Sequence, residues 1–149
     1  MRLHFTKRDG KYDALVIERD DGTTESIECP KQGIIPHDMV HYAVKRVLHH
    51  SGFLSLVRQG KDERAAFGSD SEEAIERLVE TFQAEMWGGQ VPAADLIATY
   101  EHACEARRHT ALSVSELDID KIRKHLETLT NQWSAVSINQ TLTLEFPPR

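Results

Sequence analysis

The chain has 149 residues, of which 40% are apolar and 28% charged, and this length and balance fit a single domain, 1–149, that can build its own core. The formal net charge of −6 disfavours nucleic acid as a partner, because an acidic surface repels phosphate backbones. No apolar run approaches the ~18 residues of a membrane span and the first residues carry no apolar leader, so the sequence predicts a cytoplasmic protein with no membrane partner.

The first part of the chain predicts three antiparallel strands over about 2–29. Residues 2–7 alternate in polarity, residues 12–19 are rich in branched side chains, and residues 23–29 again contain β-formers. Asp9-Gly10 and Asp20-Asp21-Gly22 are turn signals between these runs, since glycine tolerates a positive φ. Breakers at Pro30 and Pro36 then predict a loop.

Four helices are expected over about 37–133. The first runs from His37 to His50 with Pro36 at its start, where a missing N–H costs nothing. The second begins near Ser69–Ser71 and stops at Gly88-Gly89, the third opens with Pro92, and the fourth begins at Ser115 or Asp118.

The fourth helix carries an apolar stripe whose members recur at spacings of three and four. They are Ile119, Ile122, Leu126, Leu129 and Trp133. The stripe is typical of a helix that packs on the core. The alternative is a homodimer built through the 119–133 helix, although the stripe spans barely two heptads.

The end of the chain predicts a hairpin over about 134–146. Val136 and Ile138 alternate with polar residues, Asn139-Gln140 is a turn signal, and residues 142–146 alternate again. The predicted fold class is therefore α+β, with an antiparallel sheet built from the N-terminal strands and the C-terminal hairpin and packed against about four helices.

Two histidines on the first helix predict a metal site. His37 and His41 are one turn apart and fall within or beside the apolar arc of the helix, so both rings point toward the packed side. A pair at this spacing can bind one divalent metal such as zinc. The helix dipole near His37 is expected to keep its ring neutral, as a ligand requires.

A third ligand has to come from another element. Glu85 is the main candidate, because a carboxylate at the edge of the second helix's apolar arc needs a partner. Asp38 is the candidate catalytic base. Weaker ligand candidates share only their donor chemistry; they are His4, Cys29, Cys104, Glu101, His102 and Glu105. The two cysteines form no CxxC pair and are expected to be reduced thiols.

The histidine helix resembles two known patterns. Residues 37–41, HDMVH, resemble the HExxH helix of zinc peptidases with Asp in place of Glu, which implies a zinc ion bound by both histidines; Val47 stands where the longer motif has a third histidine. Residues 35–44 resemble a PHDxxHY segment of small uncharacterised bacterial proteins, which tend to have Glu where this chain has Lys45. That second resemblance implies no established activity.

Two functions remain open from the sequence. The absence of a complete catalytic motif favours a non-catalytic binding or regulatory module. The alternative is a metal-binding protein or metal-dependent hydrolase that uses His37 and His41, with Glu85 as third ligand and Asp38 as base. In the purely structural interpretation the histidines are packed side chains with hydrogen-bond partners.

Overall fold

The computed structural model describes residues 1–31, 33–50 and 63–146, with only the backbone described for residues 49–50 and 63–71. Its strands and helices follow the chain in the order β1 (Arg2–Thr6), β2 (Tyr12–Glu18), β3 (Thr24–Pro30), α1 (His37–His50), α2 (Glu63–Gly88), α3 (Ala93–Ala106), α4 (Glu116–Ser134) and β4 (Thr141–Glu145). This α+β architecture confirms the predicted fold class.

The strands form one antiparallel sheet in the order β3-β2-β1-β4. Strand β1 lies between β2 and β4, with Phe5 opposite Leu15 on one side and Leu142 on the other. Alternate residues of β1 and β2 are buried, so one face of the sheet packs on the helices while the other meets solvent. Both ends of the chain therefore contribute to the sheet, as expected.

Two predicted boundaries were wrong. In place of the C-terminal hairpin there is a single strand, because residues 136–140 contain a turn at 138–139 and no strand, and only β4 enters the sheet. The backbone N–H of Asn139 donates to the Lys7 carbonyl and that of Lys7 donates to the Gln140 carbonyl at 3.0 Å, so the turn delivers β4 directly to β1. Helix α2 begins at Glu63 rather than near Ser69.

The helices form a layer in which α1 contacts α2 and α4, and α3 contacts the same two helices. All five apolar residues of the α4 stripe are buried in the common core, which confirms core packing. Trp133 meets Phe5 edge-on at 6.5 Å between ring centroids, and this contact joins α4 to the sheet. No described helix is long and apolar enough to cross a bilayer.

Helix α1 has the predicted bounds, and its packing fixes the histidines. The Pro36 carbonyl accepts from the N–H of Met39 at 2.9 Å, which starts the helix where the sequence indicates. Met39 and Ala43 are fully buried, so the rotation of the helix about its axis is set by the core. That rotation directs His37 and His41 toward α2.

Candidate metal centre

His37, His41 and Glu76, here called the His–Glu cluster, bring three ligand atoms together between α1 and α2. His37 Nε2 lies 3.1 Å from Glu76 Oε1, and His41 Nε2 lies 2.7 Å from Glu76 Oε2. The two Nε2 atoms are 3.1 Å apart. Within the part of the chain that the structure describes, this is the one group of three or more such side chains whose ligand atoms converge at metal-binding distances.

The spacing of these atoms matches that of a bound transition metal. Zinc binds imidazole nitrogen and carboxylate oxygen at about 2.0–2.2 Å in a tetrahedral arrangement, which places neighbouring ligand atoms roughly 3.3 Å apart. In the cluster the two nitrogens are 3.1 Å apart, and each lies 3.1 or 2.7 Å from a different oxygen of Glu76, which is slightly shorter. One ligand atom from each of the three residues falls within 4.8 Å of the others.

Helix α2 supplies a second residue to the same place. Gln83 follows Glu76 by seven residues, which puts both side chains on one side of the helix, facing α1. Its Oε1 lies 2.9 Å from His37 Nδ1. Each ring nitrogen of His37 therefore has a partner on α2, one in Glu76 and one in Gln83.

The carboxylate and the imidazoles shift each other's titration. Hydrogen bonds from His37 and then His41 hold the pKa of Glu76 far below its usual range. The hydrogen bond to Glu76 raises the pKa of His37 against the opposing effect of burial. The carboxylate contact thus acts on the pKa of His37 in the opposite direction to the effect expected from the helix dipole.

Solvent reaches the cluster from one side. The side chain of His37 is 42% exposed and that of Glu76 31%, whereas His41 is only 19% exposed. His41 is thus the most buried member of the cluster and His37 is the most exposed. Ligands from outside the chain have access to it.

Glu85, the predicted third ligand, belongs to another contact. It lies nine residues beyond Glu76 on α2, roughly 13 Å along the helix axis. Both of its carboxylate oxygens accept hydrogen bonds from Arg123 of α4, and the pair is largely buried, at 9% and 13% side-chain exposure. Glu85 has a partner, as expected, but the partner is the guanidinium of Arg123, and the carboxylate beside the two histidines is that of Glu76.

Asp38, the predicted base, is directed toward the sheet. The Cys29 thiol donates to its Oδ2 at 3.5 Å, and in the described residues neither histidine is its hydrogen-bond partner. Burial, followed by the charge of Asp38, raises the pKa of Cys29 to about 12. Asp38 thus influences His37 only through space.

The weaker ligand candidates are dispersed over the fold. His4 on β1 contacts Glu18 at 3.0 Å and Thr143 at 2.9 Å, on the sheet rather than between the helices. Cys29 and Cys104 are both buried and form no disulfide, as expected. The remaining three, Glu101, His102 and Glu105, are exposed on α3.

Sequence reasoning missed Glu76 because it looked for carboxylates at the edge of the apolar arc. Glu76 lies farther round the helix, two turns before Gln83 and beside Val79, where a charged residue is not unusual in a sequence. The position becomes significant only because α1 packs against this side of α2. The signal available in the sequence was that Glu76 and Gln83, seven residues apart, lie on the same side of the helix.

No family model, no curated protein and no solved structure matches the chain. The function is therefore inferred from the chain's own residues and their geometry.

Proposed function

We propose that this protein binds one divalent transition-metal ion through His37 Nε2, His41 Nε2 and the Glu76 carboxylate. The observation that carries the proposal is that one ligand atom from each of the three residues lies within 4.8 Å of the others. The two nitrogens are 3.1 Å apart, and each contacts its own oxygen of Glu76 at 3.1 or 2.7 Å. Two imidazoles and one carboxylate suit zinc, iron, nickel or manganese and do not suit calcium or magnesium, which prefer all-oxygen sites.

Three protein ligands are fewer than any of these metals uses, so at least one coordination position is left for water or another molecule. The exposure of His37 and Glu76 supports a position on the solvent side. Sites closed by four protein ligands are structural, whereas sites with an open position exchange ligands. We therefore propose that the protein is a binding module that holds a metal ion with an accessible coordination position in the cytoplasm. This role requires no catalysis.

The test is metal analysis of protein purified without a polyhistidine tag, followed by titration of the metal-free protein with zinc, iron(II), nickel and manganese. We expect about one metal ion per chain. In Glu76→Gln and in the double variant His37→Ala, His41→Ala, affinity should fall by more than the 10–100-fold typical of losing an outer partner of a ligand.

The matched control is His4→Ala. His4 also contacts a carboxylate, Glu18 at 3.0 Å, but lacks a second histidine beside it. Its removal should leave the stoichiometry and the affinity unchanged. A wild-type protein that binds none of the four metals would overturn the proposal and leave the cluster as an ion pair between two helices.

A second proposal is metal-dependent hydrolysis at the same site. Its support is the accessible coordination position, where a metal-bound water would be acidified toward a pKa near 7. Asp38 has no part in it, because its carboxylate accepts from the Cys29 thiol. The test is hydrolysis of activated ester and phosphoester substrates by the metal-loaded protein. Metal-loaded His4→Ala is the positive control and Glu76→Gln is the negative control. Equal rates for the wild type and Glu76→Gln would overturn the second proposal.

A further inference from the structure

Gln83 contacts the His–Glu cluster through the far side of an imidazole ring. Its Oε1 lies 2.9 Å from His37 Nδ1, while His37 Nε2 faces Glu76 and His41. Gln83 carries no charge, and among the described residues its hydrogen bond to the cluster is made to His37 Nδ1 rather than to Nε2. Its effect on the cluster is therefore exerted through His37.

We propose that Gln83 is a positioning residue that holds neutral His37 in the form protonated on Nδ1, so that the Nε2 lone pair points into the cluster. This inference rests on the proposed metal site and deepens it. A carbonyl oxygen can only accept a hydrogen bond, so the nitrogen that faces Gln83 Oε1 has to carry the proton. In a neutral ring the other nitrogen, Nε2, is then bare.

A bare Nε2 makes the cluster attract a cation. The lone pair of His37 Nε2 would lie 3.1 Å from Glu76 Oε1, and neither atom has a proton to share. Such a contact is repulsive unless positive charge lies between the atoms. In the loaded protein the metal supplies it, and without metal a proton does, either on His37 or shared by His41, whose Nε2 lies 3.1 Å from His37 Nε2. Gln83 thus removes the arrangement in which a neutral His37 donates from Nε2 to Glu76.

The competing arrangement is well defined. If the Gln83 amide were turned so that its NH2 group faced His37, Nδ1 would accept and Nε2–H would donate to Glu76. A neutral His37 would then be fully hydrogen-bonded with no cation. The two arrangements differ in which nitrogen of one ring carries the proton, and this is measurable.

The experiment reads the protonation site of His37 by long-range proton–nitrogen NMR correlation in metal-free protein, at a pH where the ring is neutral. We expect the proton on Nδ1 in the wild type and a mixture of both forms in Gln83→Leu. Zinc affinity should fall about 10–100-fold in Gln83→Leu. Gln83→Glu keeps an accepting oxygen and should retain or raise the affinity, and Gln132→Leu, an exposed glutamine on α4, is the control that should change nothing.

The outcomes separate this inference from the proposed function. A wild-type protein that binds no metal overturns the metal site, whereas the protonation site of His37 is read without metal. A proton on Nε2 in the wild type, or equal zinc affinities of the wild type and Gln83→Leu, overturns the role of Gln83 even if the metal binds. If Gln83→Leu does not fold, the wild-type spectrum and Gln83→Glu still decide the question.

Discussion

At the scale of single residues, Glu76 joins the two histidines by using a different oxygen for each. Oε1 meets His37 and Oε2 meets His41, so the carboxylate can accept from two protonated rings at once. The contact favours protonated His37 and ionised Glu76, since it raises the pKa of the first and lowers that of the second. A metal ion has to displace the proton on His37 Nε2, which makes stability and metal binding depend on pH in opposite directions.

The metal-free cluster should stabilise the fold most between about pH 4.5 and 6.5. The raised pKa of His37 gives stability that is complete below its unfolded value of 6.5 and is lost as the pH rises through the folded value. The lowered pKa of Glu76 gives stability that is complete above 4.5 and is lost as the pH falls through the folded value. Because the groups are partly exposed, we expect a contribution of about 1 kcal/mol or less.

The measurement is the free energy of unfolding of metal-free wild type and Glu76→Gln across pH 4–9. Their difference should be largest in the stated window and should shrink at higher pH, where His37 loses its proton. Zinc affinity should instead rise with pH, about tenfold per unit for each proton displaced. A stability difference that does not vary with pH would contradict the assignment of both shifts to this cluster.

At the scale of secondary-structure elements, two different carboxylates of α2 connect it to two neighbouring helices. Glu76 faces α1, and Glu85 faces α4, where it accepts from Arg123. The guanidinium of Arg123 also donates to the Val91 carbonyl at 2.6 Å, just after the glycine pair that ends α2. Arg123 therefore ties α4 to both the last turns of α2 and the connection to α3.

Replacing Arg123 by Ala should destabilise the protein by about 3 kcal/mol, because it leaves the mostly buried Glu85 carboxylate unpaired. Urea unfolding measures the loss. The matched control is Arg19→Ala, which breaks an ion pair with Glu25 at 2.6 Å whose side chains are 45% and 50% exposed, and should cost under about 1 kcal/mol. Equal losses in the two variants would contradict a clamping role for Arg123.

The sequence was sufficient for elements whose signals are local. Helix α1 begins at His37 as predicted, because Pro36 and the apolar period both act within a few residues. The ligand set was only partly predictable, since His37 and His41 share one helix whereas Glu76 comes from another. Glu85 is anomalous in the sequence because its partner, Arg123, is thirty-eight positions away and only the fold brings the two side chains together.

The C-terminal strand shows the same limit. Asn139-Gln140 does form a turn, and Asn139 has a φ of 71°. Local alternation suggested a strand on each side of it. The partner of β4 is instead β1, from the opposite end of the chain, and no local pattern specifies such a pairing.

At the scale of the whole molecule, the apolar stripe of α4 is buried within the chain's own core. The stripe on α4 packs against α1, α3 and the sheet, with its five members between 0% and 6% exposed. The homodimer that the sequence left open would need this stripe at a subunit interface. In the part of the chain whose side chains are described, the large exposed apolar residues are scattered over separate elements, among them Trp87 at the end of α2 and Leu117 in the first turn of α4.

We therefore expect a monomer of 16.9 kDa in solution. Isolated exposed apolar residues are normal on monomers, whereas a stable dimer needs a contiguous interface of roughly 800 Å² on each subunit. Sedimentation velocity over a hundredfold range of protein concentration, with and without zinc, measures the mass directly. A dimer at all concentrations would contradict the expectation. If Leu117→Ser then dissociated it, the interface would lie on the outer face of α4 rather than on the buried stripe, because a polar side chain at position 117 leaves the core packing of the helix unchanged.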